Sequence, residues 1–231
     1  MKLGVVIFPG SNCDHDMLHV LKTHLSPNTI ELWHKDTTLQ NCDGIFLPGG
    51  FSYGDYLRSG AIARFSPIMN EIIKFANNGG FVFGICNGFQ ILCEAGLLPG
   101  TLMHNDNRKF ICKNSFIRPE NTDTAVNLMC QTNKAYKIPI AHGEGKYFAD
   151  AETLASIEAN NQIIFRYCNS QGEITEDANP NGSIKNIAGV CNKNKNVFGM
   201  MPHPERAAAE ELKNTDGVCI FKSILKFLEK N

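Results

Sequence analysis

The chain has 231 residues, 43% of them hydrophobic, and a formal net charge of -1 from 22 basic and 23 acidic side chains. That length supports a full apolar core, and the even spread of charge speaks against nucleic acid or an anionic membrane as partner. No run of eighteen apolar residues is present, and the opening MKLGVVIFPGSN is too short and too broken for a signal peptide, so a cytoplasmic protein is expected.

Short apolar runs ending in Gly or Pro recur along the first part of the chain. Residues 3–8 end at Pro9-Gly10, residues 44–47 at Pro48-Gly49-Gly50, and residues 81–85 at Cys86. Runs this short and apolar throughout suit strands buried on both faces of a parallel sheet. Helical patterns separate them. Residues 14–25 carry Met17, Leu18, Leu21 and Leu25 on one stripe, and residues 66–76 carry Ile68, Met69, Ile72 and Ile73 before a stop at Asn77-Asn78-Gly79-Gly80. Alternating strand and helix predicts an α/β fold. The middle is different: β-prone pieces at 110–117, 138–141, 162–167 and 184–190 predict an antiparallel section packed beside the parallel sheet. Residues 197–201 return to a buried strand, and residues 216–229 close the chain as an amphipathic helix with Val218, Phe221, Ile224, Leu225 and Leu228 facing inward. With no repeat or linker, a single domain over 1–231 is expected.

The nine cysteines are scattered and odd in number, which argues against a disulfide framework, and no closely spaced Cys/His quartet predicts a metal site. Cys42, Cys93, Cys112, Cys130, Cys168, Cys191 and Cys219 read as small buried apolar side chains. Cys13 lies in a loop near the expected site. Cys86 stands apart. In Phe83-Gly84-Ile85-Cys86-Asn87-Gly88-Phe89-Gln90 a strand runs into a helix through glycine, thiol, glycine. Small flanking residues let the two backbones approach, which forces the thiol onto a strained, exposed turn at a helix N-terminus. The dipole there favours an anionic sulfur, and the Asn87 N–H points where an oxyanion would form.

A thiol nucleophile needs a base and the base an orienting group. His15, His19, His24 and His34 read as solvated or core residues and His104 as a surface residue. His203 follows a buried strand in Met201-Pro202-His203-Pro204-Glu205, which places it at the same carboxyl edge as Cys86, with Glu205 in reach of its ring.

Pro48-Gly49-Gly50, the Gly84–Gln90 elbow and His203-Pro204-Glu205, in that order, resemble the class I (triad) glutamine amidotransferases. The resemblance implies a flavodoxin-like, mostly parallel sheet flanked by helices, with additional antiparallel β-structure. It implies Cys86 as nucleophile, His203 as base and then acid, Glu205 as orienter, oxyanion N–H groups from Gly50 and Asn87, and Gln90 lining the glutamine site. Phe8-Pro9-Gly10-Ser11-Asn12-Cys13-Asp14, the stretch 49–64 and Ala141-His142-Gly143-Glu144-Gly145 are similar to the glutaminase subunits of phosphoribosylformylglycinamidine synthases, of purine biosynthesis. That narrower likeness implies L-glutamine as substrate and two protein partners, a separate synthetase subunit plus a small accessory subunit. ATP and magnesium are expected on the synthetase, since this chain has no P-loop and needs no cofactor or metal of its own. Residues 51–65, with Tyr53, Arg58 and Arg64, are expected to line the substrate site and touch the partner. The turn with His142 and Gly143 is assigned to the amino-acid end of glutamine.

Overall fold

The computed structural model describes residues 1–230. In chain order its first elements are β1 (Leu3–Ile7), α1 (Asp14–His24), β2 (Thr29–Trp33), β3 (Gly44–Leu47), α2 (Pro67–Asn77), β4 (Phe81–Ile85) and α3 (Asn87–Glu94). Then come β5 (Thr101–Met103), β6 (Ile111–Pro119), β7 (Tyr136–His142), β8 (Lys146–Phe148), α4 (Ala151–Ala159), β9 (Ile163–Cys168), β10 (Ile187–Cys191), β11 (Val197–Met200) and α5 (Val218–Leu228).

One sheet runs β2-β1-β3-β4-β11-β10-β9-β6-β7. Its first five strands are parallel, in the flavodoxin-like order, with β11 as the fifth. Every residue of β3, β4 and β11 is buried, which is why their sequences are continuous apolar runs and do not alternate. Phe81 packs its ring between Phe46 and Phe198, with centroids 5.7 and 5.6 Å away. The helices supply the facing stripes: Met17, Leu18 and Leu21 from α1, Ile68, Met69 and Ile72 from α2, and Ile220, Phe221 and Ile224 from α5. Each such side chain contributes about 2 kcal/mol by leaving water.

The antiparallel section does not sit beside the parallel sheet as expected. It continues it, because β10 pairs with β11 and β9, β6 and β7 follow in antiparallel register. All five residues of β10 are buried, so it cannot be an edge, and β11 would otherwise present an open row of N–H and C=O groups. A separate ribbon joins β5 to β8. Elements β2 and α4 lie outside the sequence expectations. Edge strand β2 exposes Glu31 and Trp33, and α4 buries only Ile157, so neither shows a long apolar run or stripe. The Asp150 side chain, which accepts from Thr153 N at 2.7 Å, is the one local helix signal there.

Candidate active site

The loops after β1, β3, β4 and β11 leave the same carboxyl edge of the sheet, and that edge is where the predicted site residues meet. Cys86 follows β4 directly and has φ 51° and ψ -106°, a strained backbone for an L residue. Neighbouring chain enforces it. A Cβ on Gly84 would stand 2.6 Å from the backbone of Gly88, and one on Gly88 would stand 2.0 Å from the Leu47 carbonyl oxygen. The helix α3 therefore lies directly on two strands, and the elbow has no room to unwind. Gly88→Ala is expected to lose about 3 kcal/mol of folding free energy, because the obstacle is backbone and cannot rotate away. Urea denaturation measures it, and a loss below about 1 kcal/mol would show that the close approach is not needed.

His203 is held by its own N–H, which donates to the Pro139 carbonyl of β7 at 2.8 Å. Its Nδ1 lies 2.6 Å from Glu205 Oε1. Both side chains are almost wholly buried, and His203 Nε2 and Glu205 Oε2 have no hydrogen-bond partner among the described residues. Burial pulls the imidazole down, but the Glu205 carboxylate and the Cys86 thiol outweigh it, and His203 is raised well above the ordinary histidine value. Gly49 shows how close the groups are: a Cβ there would lie 2.7 Å from His203 Cε1, 3.2 Å from Cys13 Sγ and 3.3 Å from Cys86 Cβ. His203, Cys86 and Cys13 thus converge on one missing side chain.

Cys13 was legible only as a loop thiol near the site. The fold sets it against the His203–Glu205 pair, with donor atoms of all three residues within 4.8 Å of one another, and Arg206 Nη2 donates to its sulfur at 3.1 Å. Arg206 also donates from Nε to Asp16 at 2.9 Å, which ties the turn after His203 to α1. No sequence pattern signalled Arg206. It needed α1 and the last loop to be brought together.

A second wall is polar. Asn87 Oδ1 accepts from Ser52 N at 3.1 Å, and its Nδ2 donates to Gln90 Oε1 at 3.0 Å. Gln90 Nε2 donates to the Glu144 carbonyl at 2.6 Å. The Glu144 carboxylate accepts from Ser59 N at 3.1 Å. Asp55 accepts from Asn87 Nδ2 at 3.4 Å, and burial raises its pKa. Gln90 therefore ties the elbow helix to the turn after β7. Gly50, at φ 134°, is bridged to Ser11 beside this wall.

The remaining predicted residues are placed as follows. The His142 ring is buried, with Nδ1 3.1 Å from Asn105 Oδ1 and Nε2 3.5 Å from Asn181 Nδ2, and it lies flat on Gly145. The Gly143 carbonyl accepts from Asn105 N at 2.9 Å. Tyr53 turns inward, its hydroxyl 2.6 Å from His34 Nδ1 and 2.9 Å from Ser66 Oγ. Arg58 donates to the Glu94 carboxylate at 2.7 Å and Arg64 to the Glu94 carbonyl at 2.9 Å, so both guanidinium groups grip the C-terminal end of α3, where the dipole favours cations. Four cysteines depart from expectation: Cys86 is buried although its turn was expected to expose it, Cys93 and Cys219 are only half-buried, and Cys112 is exposed, because residues 111–114 of β6 run past the end of β9 and pair with β7.

Burial lowers the His142 pKa to about 4. Its folded value lies below the unfolded value of about 6.5, so the unfolded chain takes up the proton first and stability falls as pH drops from about 6.5 to 4, by roughly 3 kcal/mol. His203 acts in the opposite sense, its contribution being full below about 6.5 and lost as pH rises through its raised value. Denaturation midpoints at about pH 7 and pH 4.5 test the first statement. The gap between them shrinks in His142→Gln, and an unchanged gap contradicts the assignment.

The family model described as the CobB/CobQ-like glutamine amidotransferase domain matches residues 1–218. The chain belongs to this family. It is a glutamine amidotransferase, and its relatives are close. It is 55% identical to phosphoribosylformylglycinamidine synthase subunit PurQ of Moorella thermoacetica over 230 residues, covering all of this chain and 98% of that one. It is 54% identical to the protein of the same description from Koribacter versatilis, again over 230 residues and covering 100% of both. Among solved structures it resembles a chain of PurLQS from Thermotoga maritima, with a TM-score of 0.86, 42% identity and 98% of each chain covered. A putative GMP synthase component from Thermoplasma acidophilum shares the fold at a TM-score of 0.62 and 14% identity, covering 100% of this amidotransferase and 95% of that chain.

Proposed function

We propose that this amidotransferase is the glutaminase subunit of a phosphoribosylformylglycinamidine synthase, hydrolysing L-glutamine to glutamate and ammonia for a separate synthetase subunit. The observation that carries this reading is the strained elbow thiol of Cys86 beside His203, whose Nε2 has no hydrogen-bond partner among the described residues while Nδ1 is held by Glu205. The Cys86 sulfur attacks the side-chain amide carbon of glutamine. The N–H groups of Gly50 and Asn87 stabilise the oxyanion, and His203 gives its proton to the departing ammonia. The γ-glutamyl thioester that remains is opened by water, from which His203 takes a proton, and glutamate leaves. The synthetase, holding ATP and magnesium, uses the ammonia to convert formylglycinamide ribonucleotide to formylglycinamidine ribonucleotide, with a small accessory subunit completing the complex. Glutamine hydrolysis by the chain alone and with those subunits tests the reading. Absence of hydrolysis in the full mixture would sink it.

Asp55 and Glu144 give the polar wall negative charge, the sign that the α-ammonium group of glutamine requires, and Gln90 holds that wall in place. Glu144→Gln is expected to raise KM for glutamine about tenfold with a smaller change in kcat. A kcat loss at unchanged KM contradicts a binding role.

Residues 51–65 meet the partner on their outer side. Tyr56, Leu57 and Phe65 are 88, 68 and 74% exposed, more apolar surface than a free loop usually shows. Alanine at Arg58 and Arg64 frees the end of α3 and disturbs the loop, so glutamine-dependent synthesis falls several-fold more than ammonia-dependent synthesis. Equal loss in both assays refutes the assignment.

A further inference from the structure

Away from the catalytic groups, two thiols face each other. Cys130 Sγ lies 2.8 Å from Cys219 Sγ, joining the loop before β7 to the first turn of α5. That separation leaves about 0.8 Å to the length of an S–S bond. The loop is already docked in the orientation a bond would need. Met129 N donates to Ser223 Oγ at 2.8 Å, Ser223 Oγ donates to the Cys219 carbonyl at 2.7 Å, and Gln131 N donates to Tyr136 Oη at 2.8 Å. Ala125, Val126 and Asn127 anchor the same loop in the interior.

We propose that Cys130 and Cys219 form a redox site that closes to a disulfide under hydrogen peroxide and reopens with a thiol reductant. The two sulfurs are not equivalent. Cys130 is buried, whereas Cys219 is half-buried and lines an open groove between α1 and α5 with His19, Met129, Leu212 and Lys222. The hydrogen bond from Cys130 lowers the Cys219 pKa against the effect of burial. Cys219 is therefore the thiolate that meets the oxidant and Cys130 the resolving thiol, the arrangement of peroxide-sensing pairs. The Cys219 sulfur attacks one peroxide oxygen, the O–O bond breaks, and hydroxide leaves a sulfenic acid. The Cys130 sulfur then attacks the Cys219 sulfur, the S–O bond breaks, and the Cys130 proton leaves with that oxygen as water. Two thiols are oxidised and one peroxide is reduced to two waters. The bond spans 89 residues of chain, so it removes much freedom from the unfolded state.

The test is peroxide treatment of the reduced full chain, followed by alkylation, peptide mapping and thermal unfolding. A cross-linked peptide pair joining positions 130 and 219 is expected, with Tm raised by about 5–10 °C and both effects reversed by dithiothreitol. In Cys219→Ser neither effect is seen, and in Cys130→Ser a sulfenic acid at position 219 is trapped by dimedone. Full alkylation of Cys130 and Cys219 after peroxide has consumed other thiols overturns the proposal, as does a cross-link that maps elsewhere or a Tm rise that survives in Cys219→Ser.

Discussion

Cys86→Ala is expected to lower kcat for glutamine hydrolysis by about 10,000-fold or more, while the assembled complex still makes product from added ammonia. The size follows from covalent catalysis. With the sulfur gone, the amide must be attacked by water directly, and His203 no longer has the Cys86 thiol to activate. Only the oxyanion N–H groups and substrate binding remain, and these act on a reaction that no longer has its nucleophile. Folding is not at issue, since alanine removes one sulfur from a position whose backbone is set by Gly84, Gly88 and the Leu47 carbonyl. Steady-state ammonia release and a matched thermal melt separate the two effects. Hydrolysis that survives in a folded Cys86→Ala protein refutes the assignment, and a rate recovered in Cys86→Ser would point to the hydroxyl taking over as a poor nucleophile.

Glu205→Gln is expected to cost about 100- to 10,000-fold in kcat without disturbing the fold. Glutamine keeps the shape of the side chain but reverses the hydrogen bond at 2.6 Å, because its amide can donate to His203 Nδ1 where the carboxylate accepted. Nε2 then carries the proton in the neutral ring and cannot receive one from Cys86. The pH profile moves as well. Glu205 is the strongest influence raising His203, so its removal lowers the pKa of the imidazolium. The protonated base that pairs with the thiolate is lost as pH rises through that value, so the alkaline limb of the rate profile shifts to lower pH in the variant. A variant with an unmoved alkaline limb would falsify the pairing even if its rate were low. Glu205→Asp, which keeps the charge at a shorter reach, should recover part of the rate and return the limb toward that of the native protein.

How legible these groups were differs from residue to residue. Gly84, Cys86 and Gly88 could be read together because the elbow is local: strand, thiol and helix are consecutive in the chain, and the spacing itself requires small neighbours. His203 and Glu205 are also local to each other, and the buried run before them placed them at a strand end. Cys13 could be placed near the site and no further, since its contact with His203 and Arg206 depends on β1 and β11 being brought to the same edge. Gln90, Asp55 and Glu144 form a network across separate parts of the chain, and no spacing within any one of them predicts it. The same holds for Arg58 and Arg64. Their type suggested a contact, while their actual partner, the end of α3, is 36 and 30 residues away along the chain.

The sequence by itself determined the α/β class, the buried parallel strands β1, β3, β4 and β11, the helices that face them, and the placing of Cys86, His203 and Glu205 at strand ends. These rest on short-range physics: continuous apolar runs, a helical stripe, and glycines where backbones must touch. Only the tertiary structure decided that the antiparallel strands extend the same sheet, that α4 and β2 exist, that Cys112 is exposed, and that Cys130 meets Cys219. Each of these depends on which distant segment supplies the missing hydrogen bonds or covers a surface. Strand pairing and burial are properties of the whole assembly, and a single segment carries no record of its neighbour.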